Sequence, residues 1–254
     1  KRGAYLVLPQ NVKLQASTGE GEYYAGKVYE VGMLDNRGGK LLQQEISSFI
    51  GAPIDGWIAV GALRERNSQD ATLGQEELFS FKNLSYVLGG LQQGSIDTSL
   101  TPIDVIRITS SLAALSQEET RIVNLLEYVA FREEELADEK TLAIREPSID
   151  ALSRELFSDS RIVDERLAVT IVNGTETSGF GNRVARMLSN GGMNVVSVTT
   201  SGEAVDTSYV EATEKTSQSY TVEKLKRWFG ISKLQLTDLV KEDIKIYLGK
   251  DVWK

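Results

Sequence analysis

The sequence predicts two domains: an N-terminal α/β domain with a mixed, largely parallel sheet and helices on both faces, and a smaller α+β domain after it. Strand and helix patterns alternate along the first part, and the last part shows the order β-α-β-β-α-β-β. Residues 166–254 hold 12 Lys and Arg and 10 Asp and Glu, a net charge of +2, which leaves −10 for residues 1–165. A charge shift at one place indicates a domain boundary. We therefore predict domains at residues 1–160 and 166–254.

Composition excludes several classes of function. Of the 254 residues, 41% are hydrophobic and 25% are charged, which is typical of a soluble protein with a core. The chain has no cysteine and no histidine, so disulfides, thiol nucleophiles and imidazole bases are excluded. The net charge of −8 argues against a nucleic-acid partner. No apolar run reaches the roughly 18 residues of a membrane span, but the sequence starts at Lys1 without Met, so we expect an upstream segment.

The first hundred residues show strands and helices in alternation. The apolar residues 5–8 predict a buried strand, which Pro9 stops. Apolar groups at helical spacing predict a helix over residues 41–50, and residues 54–60 predict a second strand. Residues 101–104 (Thr-Pro-Ile-Asp) predict the start of a later helix, because Thr caps, Pro suits the first turn and Asp meets the positive end of the helix.

The segment before residue 160 carries much of the acidity. Residues 116–119 (Ser-Gln-Glu-Glu) have the spacing of a capping box and predict a helix up to residue 129. The acidic run 132–139 is interpreted as a solvated helix face. A strand is predicted at residues 141–144, and a helix after Pro147.

Several short motifs follow the order found in LytR–CpsA–Psr proteins. Residues 8–12 (Leu-Pro-Gln-Asn-Val) resemble the Pro-Arg-Asp element that ends the first core strand of that family. Residues 26–29 (Gly-Lys-Val-Tyr) resemble its Lys-Ile-Asn loop. The pair Gly-Gly at 38–39, the helix after it and residues 51–57 (Gly-Ala-Pro-Ile-Asp-Gly-Trp) follow its Gly-Gly, helix, Gly-Ile-Pro-Ile-Asp-Tyr order. Residues 97–101 (Asp-Thr-Ser-Leu-Thr) resemble its Thr-Asp-Leu element.

This resemblance implies an activity that the chain's own residues contradict. The family transfers phosphate-linked glycopolymers from polyprenyl pyrophosphate onto peptidoglycan, with clustered arginines, acidic residues and Mg²⁺. Here Gln10 and Asn11 stand in place of Arg and Asp. Neutral amides balance a pyrophosphate poorly and are weaker Mg²⁺ ligands than carboxylates. The arginine-rich segment is reduced to residues 61–78, with Arg64 and Arg66 as the catalytic candidates.

The last 89 residues resemble the LytR C-terminal domain. The resemblance rests on residues 169–175, 178–179, 184–188, 192–195 and 243–251. That domain often follows a LytR–CpsA–Psr domain in membrane-anchored, extracytoplasmic bacterial proteins. The resemblance therefore implies the extracytoplasmic face of a bacterial cell membrane or cell wall, with an anchor helix upstream of Lys1.

A glycine-rich turn between a predicted strand and helix is the candidate binding site. Helix N-terminal amides next to glycines can hold an anion, and Gly174 and Gly179 have the first spacing of a phosphate loop. However, residues 180–181 are Phe-Gly where that loop needs Lys and Ser or Thr, so a nucleotide is excluded. Two interpretations stay open, a purely structural turn and a contact with an anion or glycan. The candidate ligand-binding residues are Asn173, Gly174, Thr175, Gly179, Asn182 and Arg183.

The sequence as a whole predicts a non-catalytic cell-envelope protein. Its expected partner is a cell-wall glycopolymer, a polyprenyl lipid or an envelope protein, and no metal or cofactor is expected. The alternative is a divergent phosphotransferase that uses Arg64, Arg66 and Mg²⁺ to attach glycopolymers to peptidoglycan. A transcriptional role, the family's older label, is disfavoured because no basic recognition helix is present.

Overall fold

The computed structural model describes residues 3–16, 21–60, 81–94, 96–114, 120–125, 131–136, 139–144, 146–238 and 242–252. The chain divides into two compact units. One contains Lys1–Pro9, Tyr29–Gln43 and Gly56–Tyr128, and the other contains Gln10–Val28, Gln44–Asp55 and Val129–Lys254. The domain bounds drawn from the sequence stay a prediction.

The part before residue 160 alternates short strands with helices. Its elements are β1 (Gly3–Val7), β2 (Lys13–Gln15), β3 (Glu22–Tyr24), a 3-10 turn (Ala25–Lys27), α1 (Val28–Met33), α2 (Gly38–Ile50), β4 (Ile58–Val60), α3 (Phe81–Gln93), β5 (Ile96–Thr98), α4 (Pro102–Ala113), β6 (Thr120–Asn124), β7 (Phe131–Leu136), β8 (Glu139–Ile144) and α5 (Glu146–Phe157). The predicted strand at 5–8 and helix at 41–50 correspond to β1 and α2.

The strands of this part pair two by two in the described residues. β1 pairs with β6 in parallel, with Tyr5 opposite Ile122. β2 with β3, β4 with β5 and β7 with β8 are antiparallel pairs. A larger, mostly parallel sheet in this part therefore stays a prediction.

Two helical predictions are wrong. Residues 120–124 of the first predicted helix form the strand β6, and the described residues of the acidic run belong to β7 and the start of β8. Residues 116–119 and 126–129 of the first predicted helix lie outside the described residues. Thr120, Ile122 and Val123 are β-branched, which favours a strand, and Val123 is fully buried. Parallel pairing with β1 thus overrides the local capping signal.

The cap predicted at residue 101 is confirmed. Thr101 Oγ1 accepts a hydrogen bond of 3.2 Å from the Asp104 backbone amide, and Asp104 Oδ2 accepts one of 3.0 Å from the Thr101 amide. This reciprocal pair satisfies two amides at the start of α4.

The last part contains a five-stranded mixed sheet. Its elements are α6 (Ser160–Glu165), β9 (Ala168–Asn173), α7 (Phe180–Asn190), β10 (Asn194–Thr200), β11 (Tyr209–Ala212), α8 (Glu214–Ser217), α9 (Tyr220–Phe229), β12 (Lys233–Leu236) and β13 (Ile244–Leu248). The strand order is β10-β9-β13-β11-β12. β10, β9 and β13 run parallel, β11 is antiparallel to β13, and β12 is parallel to β11. The short helix α8 was absent from the predicted order.

Alternation along the strands places the core against α7 and α9. Ile244, Ile246 and Leu248 of β13 are fully buried, whereas Lys245 and Tyr247 between them are partly exposed. The core cluster joins these strand residues to apolar side chains of both helices, which are Phe180, Val184, Met187, Leu188, Val222, Leu225 and Phe229.

The face with the partly exposed residues carries an aromatic pair. Tyr209 and Tyr247 face each other across β11 and β13, with ring centroids 4.3 Å apart and planes 9° from parallel. Lys233 Nζ lies 4.9 Å from the Tyr209 ring centroid. Cross-strand pairs of this kind stabilise a sheet.

The end of α2 is capped by side chains of α7. Arg186 donates hydrogen bonds of 2.8 Å to the Ser48 carbonyl and 3.2 Å to the Phe49 carbonyl. Asn190 Nδ2 donates to the Gly51 carbonyl at 2.9 Å. These donors satisfy carbonyls that lack intrahelical partners.

Among the described residues, no helix combines the length and apolar character needed to cross a membrane.

Candidate functional site

The turn after β9 is built on the side chain of Asn173. This residue is only 6% exposed, and its Oδ1 accepts hydrogen bonds from the Thr175 amide at 3.1 Å and the Thr175 hydroxyl at 2.7 Å. Its Nδ2 donates to the Thr177 carbonyl at 3.1 Å. Both polar ends of Asn173 are therefore engaged within the turn, as in an Asx-turn.

Gly174 is required by close packing. A Cβ atom at this position would lie 2.4 Å from Val205 Cγ2. The Gly174 amide donates to the Leu248 carbonyl at 2.9 Å, and its carbonyl accepts from the Val205 amide at 2.8 Å. The turn is thus held between the end of β13 and the loop after β10.

The start of α7 provides the second half of the site. Gly179 is the N-cap residue, with φ +74°, a conformation that favours glycine, and it offers no side-chain cap. Asn182 is exposed on the first turn of the helix. Since the first amides of a helix have no intrahelical acceptors, a polar ligand group can accept hydrogen bonds here.

Arg183 contributes a partly buried guanidinium. Its Nε and Nη2 atoms are buried without a hydrogen-bond partner in the described part of the chain, and the group lies 5.9 Å from the Phe180 ring centroid. Burial lowers the pKa of the Arg183 guanidinium, and the charge of Glu45 opposes this shift. Glu45 itself is 1% exposed.

The rim of the turn is occupied by an ion pair. Lys250 Nζ lies 3.0 Å from Glu176 Oε1 and 3.8 Å from Asp206 Oδ1. The hydrogen bond and charge of Glu176 raise the pKa of Lys250. Because two carboxylates already compete for this lysine, the rim favours neutral hydroxyl groups over a free anion.

The six predicted ligand residues therefore have different surroundings. Asn173, Gly174 and Thr175 form the turn, whereas Asn182 and Arg183 lie on the helix that Gly179 begins. Ligand contact by any of them stays a prediction. Arg64 and Arg66 lie outside the described residues.

Two motifs of the first part lie side by side. The Gly26 amide donates to the Gln10 carbonyl at 3.0 Å, and the Ala25 amide donates to the Val12 carbonyl at 2.8 Å. A Cβ on Gly26 would lie 2.8 Å from Gln10 Cβ. Gln10 and Asn11 are exposed. The turn at Gln10 thus packs on the loop at Gly26, with neutral amides at the surface.

The other motifs meet around Trp57. A Cβ on Gly39 would lie 2.0 Å from Trp57 ring atoms, so only glycine permits this packing. The Tyr29 and Trp57 ring centroids are 6.4 Å apart. The Tyr29 hydroxyl donates to Asp97 Oδ2 at 2.8 Å. Burial, together with the hydrogen bond and charge of Asp97, raises the pKa of Tyr29 to about 12.

The Tyr29–Asp97 pair was missed by sequence reasoning. Tyr29 stays protonated at neutral pH, so it donates a hydrogen bond and does not act as a base. Asp97 is exposed and keeps acceptor capacity for a hydroxyl group. The two residues are 68 positions apart, and the motif order was the only signal that linked them.

In the described ranges, no group of three or more acidic residues is placed to hold a metal ion.

The sequence from residue 166 onward matches a known family. Residues 166–252 match the family described as LytR cell envelope-related transcriptional attenuator. Residues 166–252 form a LytR C-terminal domain. This LytR C-terminal domain contains the sheet β9–β13, the turn at Asn173 and the helix α7.

Solved structures show more distant likenesses. A transcriptional regulator from Enterococcus faecalis has a TM-score of 0.42 and 10% identity, over 60% of this chain and 75% of its own. TagT of Bacillus subtilis has a TM-score of 0.38 and 11% identity, and the match covers 60% of this chain and 78% of TagT. The transcriptional regulator yvhJ of Bacillus subtilis has a TM-score of 0.36 and 9% identity, and the match covers 58% of this chain and 76% of yvhJ. At these TM-scores the likeness defines neither the fold nor the activity of this chain. No curated protein matches the chain significantly.

Proposed function

We propose that this chain is an extracytoplasmic cell-envelope protein that binds an envelope component without chemical turnover. The observation that carries this proposal is the LytR C-terminal domain at residues 166–252, whose family is described as cell envelope-related. The expected ligands are a cell-wall glycopolymer, a polyprenyl lipid carrier or an envelope protein. An anchor upstream of Lys1 would hold the protein at the membrane.

The first part supports binding over catalysis. We interpret it as a degenerate LytR–CpsA–Psr-like domain, because the order of the family's motifs is kept while the Arg and Asp of the first motif are replaced. Gln10 and Asn11 are exposed neutral amides at the position where the family carries Arg and Asp. A pair of amides gives a pyrophosphate hydrogen bonds but no neutralising charge.

The turn at the start of α7 supports a saccharide as the ligand. Two carboxylates surround Lys250 at the rim, which disfavours a free anion, and Asn182 offers an amide donor and acceptor to solvent. Sugar hydroxyl groups both donate and accept, so they fit such a surface better than a carboxylate does.

The first experiment is native mass spectrometry of the chain purified from a bacterial host under gentle desolvation. A retained polyprenyl phosphate would identify the lipid carrier as the ligand. Co-sedimentation with peptidoglycan sacculi, with and without their attached glycopolymers, tests the polymer. Asn182→Ala should lower the sedimented fraction, whereas Gln218→Ala, at another exposed helix end, should not. No association with lipid, polymer or a cross-linked envelope protein would contradict the proposal.

The alternative is a divergent phosphotransferase that requires Mg²⁺. The Tyr29–Asp97 pair favours it, since a carboxylate oriented by a hydrogen bond is present among the motifs. Incubation with a polyprenyl-pyrophosphate glycan donor, Mg²⁺ and peptidoglycan acceptor tests it. Turnover that is lost in Arg64→Ala and Arg66→Ala, and retained in Arg107→Ala on the exposed side of α4, would replace the binding proposal with this one.

A further inference from the structure

An open cavity lies at the C-terminal ends of α5 and α7, away from the turn at Asn173. Its volume is about 450 Å³, within the range of sites for small molecules. Val163 and Met193 provide apolar walls. The polar lining consists of Arg154, Ser158, Arg166, Ser189 and Asn194.

This polar lining is rich in hydrogen-bond donors. The wall of the cavity is mostly apolar, and its polar members are two guanidiniums, two hydroxyls and one amide, all on side chains exposed to solvent. Arg154 is held by a 3.2 Å hydrogen bond from its Nε to the Asp150 carbonyl, and its two terminal nitrogens have no partner among the described residues. Within the described residues, no carboxylate lines the cavity.

Arg166 occupies a strained backbone position. It follows α6 as the C-cap residue with φ +52° and ψ +28°, a left-handed conformation that glycine or asparagine adopts more readily. Non-glycine residues in such conformations cluster at ligand sites, where the side chain is needed despite the strain. Gly192, with φ +100°, stands opposite, and a Cβ there would meet Val163 and Ser158 at 2.9 and 3.1 Å. A side chain at residue 192 would thus occupy space at the cavity, whereas residue 166 is an arginine although its backbone conformation favours glycine.

We propose that this cavity binds an oxyanion, a phosphate or carboxylate group, carried on a small polar molecule of the size of a sugar phosphate. The two arginines pair with the anion, since guanidinium forms paired hydrogen bonds with phosphate and carboxylate oxygens. Ser158, Ser189 and Asn194 contact the polar body of the ligand. This site is independent of the turn at Asn173 and of the proposed envelope role.

The competing explanation is structural. Cations are favourable near helix C-termini, which carry about half a negative charge each, and the cavity lies at such ends. However, the final carbonyls of α7 already accept hydrogen bonds from Gly191, Gly192 and Met193. Stabilisation of a helix end also gives no reason to place arginine in a left-handed conformation, because glycine there is the better cap.

Arg166→Gly separates the two explanations. Removing the strain should raise the free energy of unfolding, whereas removing the guanidinium should weaken anion binding about tenfold or more, as expected for a charge-assisted hydrogen-bond pair. Isothermal calorimetry and amide NMR titrations of the full chain would use inorganic phosphate, glucose 1-phosphate, glucuronate and neutral glucose as probes. Arg154→Gln should weaken binding similarly. Lys215→Gln removes the same charge on α8, which contacts the other edge of the sheet, and should bind like the wild type.

Saturable binding of the anionic probes, with amide shifts at Ser189 and Asn194 that both arginine variants diminish, supports the proposal. Equal affinity for phosphate and glucose 1-phosphate assigns recognition to the anion alone, and a preference for glucose 1-phosphate adds the sugar ring. The proposal is overturned if glucose binds as well as its phosphate, if no probe saturates, or if Arg166→Gly is more stable and binds unchanged.

Discussion

Arg186 Nε lies 2.6 Å from Asp150 Oδ1, which joins α7 of the LytR C-terminal domain to α5 before it. The side chains are 21% and 23% exposed, so the pair is largely shielded from water. The same guanidinium caps α2 through its bonds to the Ser48 and Phe49 carbonyls. One arginine thus satisfies a carboxylate and a helix end together.

Replacing this arginine should therefore be costly. Arg186→Met leaves two carbonyls without their donor and the Asp150 carboxylate with the Asn190 amide but no cation, and we expect a loss of about 2–3 kcal/mol in the free energy of unfolding. Urea unfolding followed by circular dichroism measures it. The control is Arg227→Met, since the Arg227–Asp55 pair is 66% and 53% exposed and should contribute less than about 1 kcal/mol. Equal losses in both variants would contradict the anchoring role.

The turn at Asn173 should not tolerate a methyl group on Gly174. In Gly174→Ala the new Cβ would overlap Val205, so we expect a loss of about 1–3 kcal/mol from overpacking. Gly202→Ala is the matched control, because nothing lies within 4 Å of its Cβ position, and it should change stability by less than about 0.5 kcal/mol. Thermal unfolding of the two variants in parallel distinguishes packing from a general effect of removing glycine.

Acid should weaken the cap that Glu165 places on α9. Burial alone would raise the pKa of Glu165, but hydrogen bonds from Thr221 and from the Tyr220 amide overcome this and lower it below the usual range. The carboxylate accepts bonds of 2.8 Å from both backbone amides and 2.6 Å from the Thr221 hydroxyl. Because the folded pKa is depressed, this stabilisation is present above the ordinary glutamate pKa of 4.5 and is lost as the pH falls through the folded value.

The test is the pH dependence of one substitution. Glu165→Gln should lower the free energy of unfolding by about 1 kcal/mol at pH 7, and this difference from the wild type should shrink below pH 4. Urea titrations at pH 7, 4 and 3 measure it. A difference that stays constant over this range would show that the charge of Glu165 does not contribute.

Tyr29 should titrate late among the tyrosines. Its phenol is stabilised in the neutral form by burial and by Asp97, with a pKa of about 12. Absorbance titration at 295 nm should show that Tyr29→Phe removes an ionisation above pH 11. In Asp97→Asn the ionisation of Tyr29 should move to lower pH. Since the folded pKa is raised, the associated stabilisation is present below pH 10 and decreases between pH 10 and 12. An unchanged high-pH step in Tyr29→Phe would assign that step to another tyrosine.

Sequence reasoning succeeded where local pattern and burial agree. The helix 180–190 and the strand 244–248 each repeat with one period and have a single buried face, whereas the strand 168–173 is a short apolar run in which Val169, Thr170 and Ile171 are all buried. It failed at Thr120–Asn124, where a capping signal was present but pairing with Gly3–Val7, more than a hundred positions away, decides the structure. Long-range pairing leaves little trace in a local window.

The candidate site likewise has features that the sequence predicts and features that it does not. The glycines at 174 and 179 marked a turn correctly, and the positive φ of Gly179 is a local demand, but the packing of Gly174 on Val205 is not. The sequence could not reveal that Asn173 uses both polar ends inside that turn. Nor could it bring Arg154 and Arg166 to one cavity, since that depends on how three helices end beside each other.

The position of β13 makes the sheet of the LytR C-terminal domain depend on its last strand. This strand is synthesised last of the five, yet it lies at the centre of the sheet, between β9 and β11. Without Ile244–Leu248, the other four strands can form only two separate pairs, β10 with β9 and β11 with β12, with no shared ladder. A prematurely terminated chain would thus expose unpaired inner edges and become a target for proteases. The two halves of this sheet therefore become one only when β13 takes its place between them.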